Sequence, residues 1–195
     1  MGNKNTSRLK QILPDEMSSE QRAMYDHIFS GPRAESFKDL GPGLPGPFGP
    51  WIYAPPLCQA IEKLATTLRF EGSLDARLRE LAICVVSGLK HASLEFGVHS
   101  ELAREAGVSD AIIEAIRTGG SPDFEKDDER VVYDFAVRLI SEDQVDDATY
   151  EALVAQLGEE GAVELVVLLG FYSLVSLTLN AFQVPLFEGM EDPFD

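Results

Sequence analysis

ARLRELAICVVSGLKHASLEFGVHSELAREAG, residues 76–107, decides the fold class. Leu74, Leu78, Leu81 and Val85 form a stripe at helical spacing. No charge occurs from Leu81 to Leu89, so this helix is apolar on both sides and has to be covered on both. Gly88 is expected to end or kink it. The spacing predicts a second helix from Ser93 to about Ala106, with Gly107 as its stop signal.

The same periodicity extends in both directions. Ser18 with Gln21 three residues later gives a capping-box pattern at the head of SSEQRAMYDHIF. Leu57–Phe70 reads as helix, Ser109 caps a short helix ending at Gly119, and 127–141, 146–157 and 159–182 complete the set. No alternating run is long enough for a strand, so the fold class is all-α. Between the first two helices, SGPRAESFKDLGPGLPGPFGPWIYAPP is too rich in Gly and Pro for regular helix or central strand. Its aromatics Phe48, Trp51 and Tyr53 argue for an ordered segment over the core. LRELAICVV and AVELVVLLG each place a glutamate before an apolar helix, a faint sign of an internal two-fold helical repeat. The expected organisation is an N-terminal arm over 1–17, one helical domain over 18–188 and an acidic tail over 189–195.

Composition narrows the function. A chain of 195 residues with 45% hydrophobic content can bury a real core. A net charge of −17 speaks against nucleic acid and anionic membrane surfaces as partners. The first residues lack the apolar centre of a secretory signal, so a cytoplasmic location is expected; Gly2 with Ser7 fits a myristoylation pattern only loosely. The longest apolar run, Leu165–Leu179, is shorter than a spanning helix needs and is bounded by Glu164 and Asn180. It is expected to be a central buried helix. Cys58 and Cys84 are isolated thiols among apolar neighbours, neither a disulfide framework nor a zinc site.

Three side chains could carry chemistry. Glu80 sits at the start of the uncharged helix, with Arg77 the cation its own helix offers at i−3. A buried carboxylate keeps its proton near neutral pH unless it is paired, so Glu80 reads either as a proton donor or as half of a structural ion pair with Arg77 or Arg79. Glu95 and His99 stand at i, i+4, roughly 6 Å apart along a helix axis, where a carboxylate can orient and charge an imidazole. The competing reading is a water-facing pair on an amphipathic helix. His91, Glu95 and His99 repeat every four residues, but His91 and His99 would lie roughly 12 Å apart on one helix, too far to share an ion. Glu80 with Glu95 and His99 could make a three-ligand site; proton chemistry ranks above it, and neither metal nor cofactor is expected.

These residues resemble a family. RLRELAIC followed by EFGVHSELAREAGVSDAIIEAIRTG, and the later DERVVYDFAVRLI and YSLVSLTLNAFQVPL, are similar to the carboxymuconolactone decarboxylase and alkyl hydroperoxidase D-like (AhpD-like) group, over about Ser18–Leu186. In its peroxidase branch a glutamate precedes a histidine by nineteen residues, as Glu80 precedes His99, and a Cys-x-x-Cys pair lies seven and four residues before the histidine. Ala92 and Glu95 stand where those thiols would be, so that mechanism loses its nucleophile and its resolving thiol. In the decarboxylase branch a glutamate stands four residues before the histidine, as Glu95 does. The resemblance implies an AhpD-like helical bundle, trimers or hexamers, and Glu80, Glu95 and His99 as site residues.

The expected activity is cofactor-independent acid–base chemistry on a small unsaturated carboxylic acid or lactone, decarboxylation first. Trp51, Tyr53, His91, Tyr172 and Asn180 are the expected substrate-binding walls, and Arg77, Arg79, Lys90 and Arg104 are open candidates for a carboxylate clamp. The rivals are a thiol-dependent peroxidase using Cys58 or Cys84, and a helical scaffold that binds without turnover.

Overall fold

The computed structural model describes residues 7–195; Gly2 and the start of the expected 1–17 arm lie outside them. All regular structure among the described residues is helical, as the periodicity requires. The chain divides into two compact units, the first running to Gly72 and including Thr178–Glu188, the second comprising Ser73–Leu177 and Gly189–Asp195.

The first unit begins with α1, Ser19–Ser30. The Ser18 hydroxyl accepts from the Gln21 amide at 3.3 Å, and the Gln21 side chain accepts from the Ser18 amide at 3.0 Å. This reciprocal cap is the one its sequence encodes. The Gly/Pro segment is ordered, with short helices α2, Ala34–Phe37, and α3, Phe48–Trp51. Its aromatic rings form a chain: Phe29 to Phe37 at 6.3 Å, Phe37 to Phe48 at 5.7 Å, Phe48 to Trp51 at 5.3 Å, each near edge-to-face. Helix α4, Pro55–Thr66, packs on α1 and starts on two prolines, residues that fit a first turn because their missing amides have no partner there.

The second unit is organised by α5, Ala76–Leu89. Every residue from Glu80 to Gly88 is buried, because α6, Ser93–Glu105, α7, Asp110–Thr118, and α8, Asp127–Glu142, all pack against it. Gly88 does not end the helix. A Cβ there would lie 3.0 Å from Ile116 Cγ2, so its role is to admit α7 closely. The turn comes at His91, whose φ of 47° is left-handed. Its amide donates to Gly88 O at 3.0 Å and that of Ala92 to Ser87 O at 2.9 Å, the paired bonds of a Schellman cap. Arg77 anchors α5 to the start of α8 through Asp128 and Glu129, each at 2.6 Å.

Helix α9, Asp147–Phe182, is broken at Gly158 (φ 72°, ψ 173°), as the two separate sequence runs anticipate. Length and composition alone would qualify it as a membrane span. In the fold, Leu165, Leu168, Leu169, Tyr172, Val175 and Ser176 are buried, so one face is core. The expectation of a central buried helix holds for that face and not for the other: Val163, Val166, Val167, Leu174 and Leu177 are exposed, spaced so that they form the opposite stripe. Glu164 is neither: its carboxylate accepts from the amide and hydroxyl of Ser73 at 2.8 and 2.7 Å and from the Leu74 amide at 3.3 Å, fixing the chain just before α5. The acidic tail also packs, with Phe194 against Phe96 and His91 at 5.1 and 5.0 Å and the Pro193 carbonyl accepting from Arg117 at 2.7 Å.

Candidate active site

Helix α5 is apolar enough to carry Glu80 into the interior, and the short connection 90–92 returns the chain along it as α6. Glu80 and His99 meet across this hairpin. His99 Nδ1 is 2.5 Å from Glu80 Oε2, and Nε2 is 3.1 Å from Glu95 Oε1 on its own helix. All three side chains are buried, so the alternative of a water-facing Glu95–His99 pair does not hold. The Tyr172 ring from α9 stands edge-to-face on the imidazole at 5.1 Å.

Both ring nitrogens face carboxylate oxygens, an arrangement suited to the imidazolium, in which both are donors. Burial alone would depress the His99 pKa. The Glu95 charge and the hydrogen bonds to Glu80 and Glu95 outweigh it and raise the value to about 9. The neutral-pH form is therefore the acid.

The cation beside Glu80 is Arg79 rather than Arg77. Arg79 Nε lies 3.4 Å from Glu80 Oε1, whereas Arg77 is committed to Asp128 and Glu129. With all members ionised, two carboxylates, one imidazolium and one guanidinium leave the group without net charge, which makes burial tolerable. Among the described residues no group of three His, Cys, Asp or Glu side chains converges as metal ligands.

The other expected site residues are distributed differently. Tyr172 is on the imidazole. His91 precedes α6 and is exposed, with its ring on Phe194, so it joins neither the relay nor a shared helix face with Glu95. Trp51, Tyr53 and Asn180 belong to the first unit. There the Trp51 indole donates to Thr178 Oγ1 at 3.1 Å, and the half-exposed Tyr53 donates its hydroxyl to the Lys10 carbonyl at 2.6 Å. Asn180 is exposed. A cavity of about 440 Å3 also lies in the first unit, between Leu9, Lys10, Leu44, Pro50 and Phe187, and contains none of the relay residues.

Both cysteines are free and fully buried. Burial, with the Glu62 charge, pushes the Cys58 thiol up to about 12, and burial with Glu80 pushes Cys84 higher still. Neither presents a thiolate.

Residues 55–137, which include Glu80, Glu95 and His99, match the model of the carboxymuconolactone decarboxylase family, and the resemblance read from the sequence is borne out. No curated protein matches the chain. Solved structures share its fold, among them these three. An uncharacterized peroxidase-related protein with an alkylhydroperoxidase AhpD core, from Ralstonia eutropha JMP134, superposes with a TM-score of 0.73 at 17% identity, over 96% of this chain and 94% of that one. An uncharacterized peroxidase-related protein from Silicibacter sp. TM1040 gives 0.72 at 15%, over 94% of each. The debrominase Bmp8 in complex with 2,3,4-tribromopyrrole gives 0.70 at 18%, over 96% of each.

Proposed function

We propose that this chain is a cofactor-independent acid–base enzyme of the carboxymuconolactone decarboxylase type, acting on a small unsaturated carboxylic acid or lactone. The observation that carries the reading is the buried His99 imidazole bracketed by Glu80 at 2.5 Å and Glu95 at 3.1 Å. A structural ion pair needs one carboxylate. Two, on opposite ring nitrogens, make a line along which a proton can move without charge separation.

In the proposed reaction the bond between the substrate carboxylate and its neighbouring carbon breaks. Carbon dioxide leaves, and the electron pair enters the conjugated carbonyl. When the pair returns, the carbon takes a proton, supplied from His99 Nε2 by way of Glu95. The Glu80 bond at Nδ1 fixes the ring and balances its charge during the transfer, and a solvent proton recharges the group. The substrate is its own electron sink, so the chain has to supply a placed acid and a dry environment. The debrominase relative supports an enzymatic reading of the fold, while Ala92 and Glu95 in place of a thiol pair, and two buried cysteines, argue against peroxide reduction by thiols.

The reading includes self-association. The exposed apolar stripe of α9 carries no charge on a chain with a net −17, and a second copy of the same stripe is the partner it suits.

The test is turnover of a panel of unsaturated acids and lactones, followed by carbon dioxide release and ultraviolet absorbance. Glu80→Gln, Glu95→Gln and His99→Asn are each expected to lower kcat by about 100-fold or more. Unchanged turnover in all three would remove the relay. Absence of turnover across the panel, with the fold intact, would favour the binding scaffold.

A further inference from the structure

We propose that Arg79, alone of the four cations near the relay, is the residue that anchors the carboxylate of the substrate. The inference rests on the acid–base reading for the reaction, but the binding of an anion at Arg79 can be measured without it.

Four cations are open from the sequence, and the structure separates them. Arg77 spends its guanidinium on Asp128 and Glu129, both at 2.6 Å. Arg104 is held by Glu101 at 2.6 Å and Asp110 at 2.7 Å on the outer side of α6. Lys90 follows the end of α5, ten residues from Glu80 and thus roughly 15 Å along the axis. Arg79 differs from all three. Its one ion-pair contact is from Nε to Glu80 Oε1 at the long distance of 3.4 Å. Neither terminal nitrogen carries a hydrogen bond or ion pair among the described residues, and its side chain keeps 16% of its surface exposed. Glu164, the acid whose charge also feels Arg79, has its carboxylate engaged by Ser73 and Leu74.

A mostly buried guanidinium whose terminal nitrogens have no partner among the described residues has the geometry for bidentate capture of a carboxylate. The charge arrangement points the same way. Without Arg79, Glu80, Glu95 and protonated His99 sum to one negative charge, which would repel an acid. Arg79 cancels that charge and offers the carboxylate its landing point one residue from the proton relay. A neutral lactone gains nothing from the fork, so the anchor selects the acid over the lactone.

The experiment is calorimetric titration of the full chain with sorbate, a conjugated monocarboxylate, and with ethyl sorbate, its uncharged ester. Wild type is expected to bind sorbate more tightly than the ester. Arg79→Gln should weaken sorbate by about tenfold or more, as loss of a charge-assisted bidentate contact does, and leave the ester unchanged. Arg79→Lys, which keeps the charge but not the fork and guards against a folding defect, should fall between. Arg104→Gln should match wild type. The proposal is overturned if sorbate binds Arg79→Gln within about twofold of wild type, if ester and acid lose equally, or if wild type binds no sorbate at millimolar concentration. Failure here with Glu80→Gln still abolishing turnover would leave the relay standing. Anion binding lost in Arg79→Gln without any turnover would leave the anchor standing and remove the enzyme.

Discussion

Glu80 and His99, nineteen residues apart on adjacent helices, meet at 2.5 Å in the protein interior, and this contact ties the α5–α6 hairpin to a protonated imidazole. The His99 pKa, raised to about 9 from an ordinary 6.5, makes stability depend on pH with a definite sign. A group that holds its proton more tightly when folded stabilises fully below its unfolded pKa and loses that contribution as pH rises through the folded one. The contribution should be complete below pH 6.5 and vanish on passing about 9, amounting to about 3 kcal/mol. Urea unfolding of wild type should show that loss, and His99→Asn should be flat over the same range. Parallel curves for the two proteins would mean that His99 is not charged in the fold.

Arg77 is expected to matter for stability and not for binding. Glu129 is buried and depends on Arg77 at 2.6 Å and Lys126 at 3.1 Å for its counter-charge. Arg77→Met leaves that carboxylate underpaired, a change of about 3 kcal/mol or more. Thermal unfolding should drop by several degrees while sorbate affinity stays as in wild type. A loss of sorbate affinity without loss of stability would exchange the roles of Arg77 and Arg79.

The sequence made most of this fold legible because its helices are bounded by strong local signals: the Ser18–Gln21 cap, Ser109, Gly107, and Gly158 between two apolar runs. Chemistry alone leaves Glu80 open between a proton donor and half of an ion pair, and Glu95–His99 open between a site and a surface pair; the family resemblance, through the nineteen-residue spacing of Glu80 and His99, is what joins the three in the sequence. What could not be read depends on contacts between distant segments. Arg77 and Arg79 look alike along the chain, and the choice between them is made by Asp128 and Glu129 on α8. Trp51 is as aromatic as Tyr172, but its indole goes to Thr178 in the first unit. Gly88 carries the signature of a stop, yet the helix ends a residue later because Ile116 needs the space and His91 takes the turn.

His91 offers a test of that turn. A non-glycine residue at φ 47° carries a conformational cost that glycine does not. His91→Gly is expected to hold or raise unfolding stability, by up to about 1 kcal/mol, with sorbate affinity unchanged. Destabilisation beyond about 1 kcal/mol would show that the ring contact with Phe194 outweighs the strain, and weakened sorbate binding would return His91 to the site.

The exposed stripe of α9 sets two forces against each other. Val163, Val166, Val167, Leu174 and Leu177 present an uncharged face that water disfavours, while a net charge of −17 pushes copies apart. The attraction is short-ranged and insensitive to modest salt, whereas the repulsion is screened within about 8 Å at physiological ionic strength. Self-association should therefore strengthen as salt is added, the opposite of an interface built on ion pairs. Light scattering at rising sodium chloride is expected to show a growing oligomer fraction for wild type. Val166→Glu combined with Leu174→Glu should hold the chain at its 21.4 kDa monomer mass with an unchanged helical spectrum, since both side chains already face solvent. A wild-type chain that stays monomeric at every salt concentration, or a double variant that associates as well as wild type, would mean that this face is not the contact between copies.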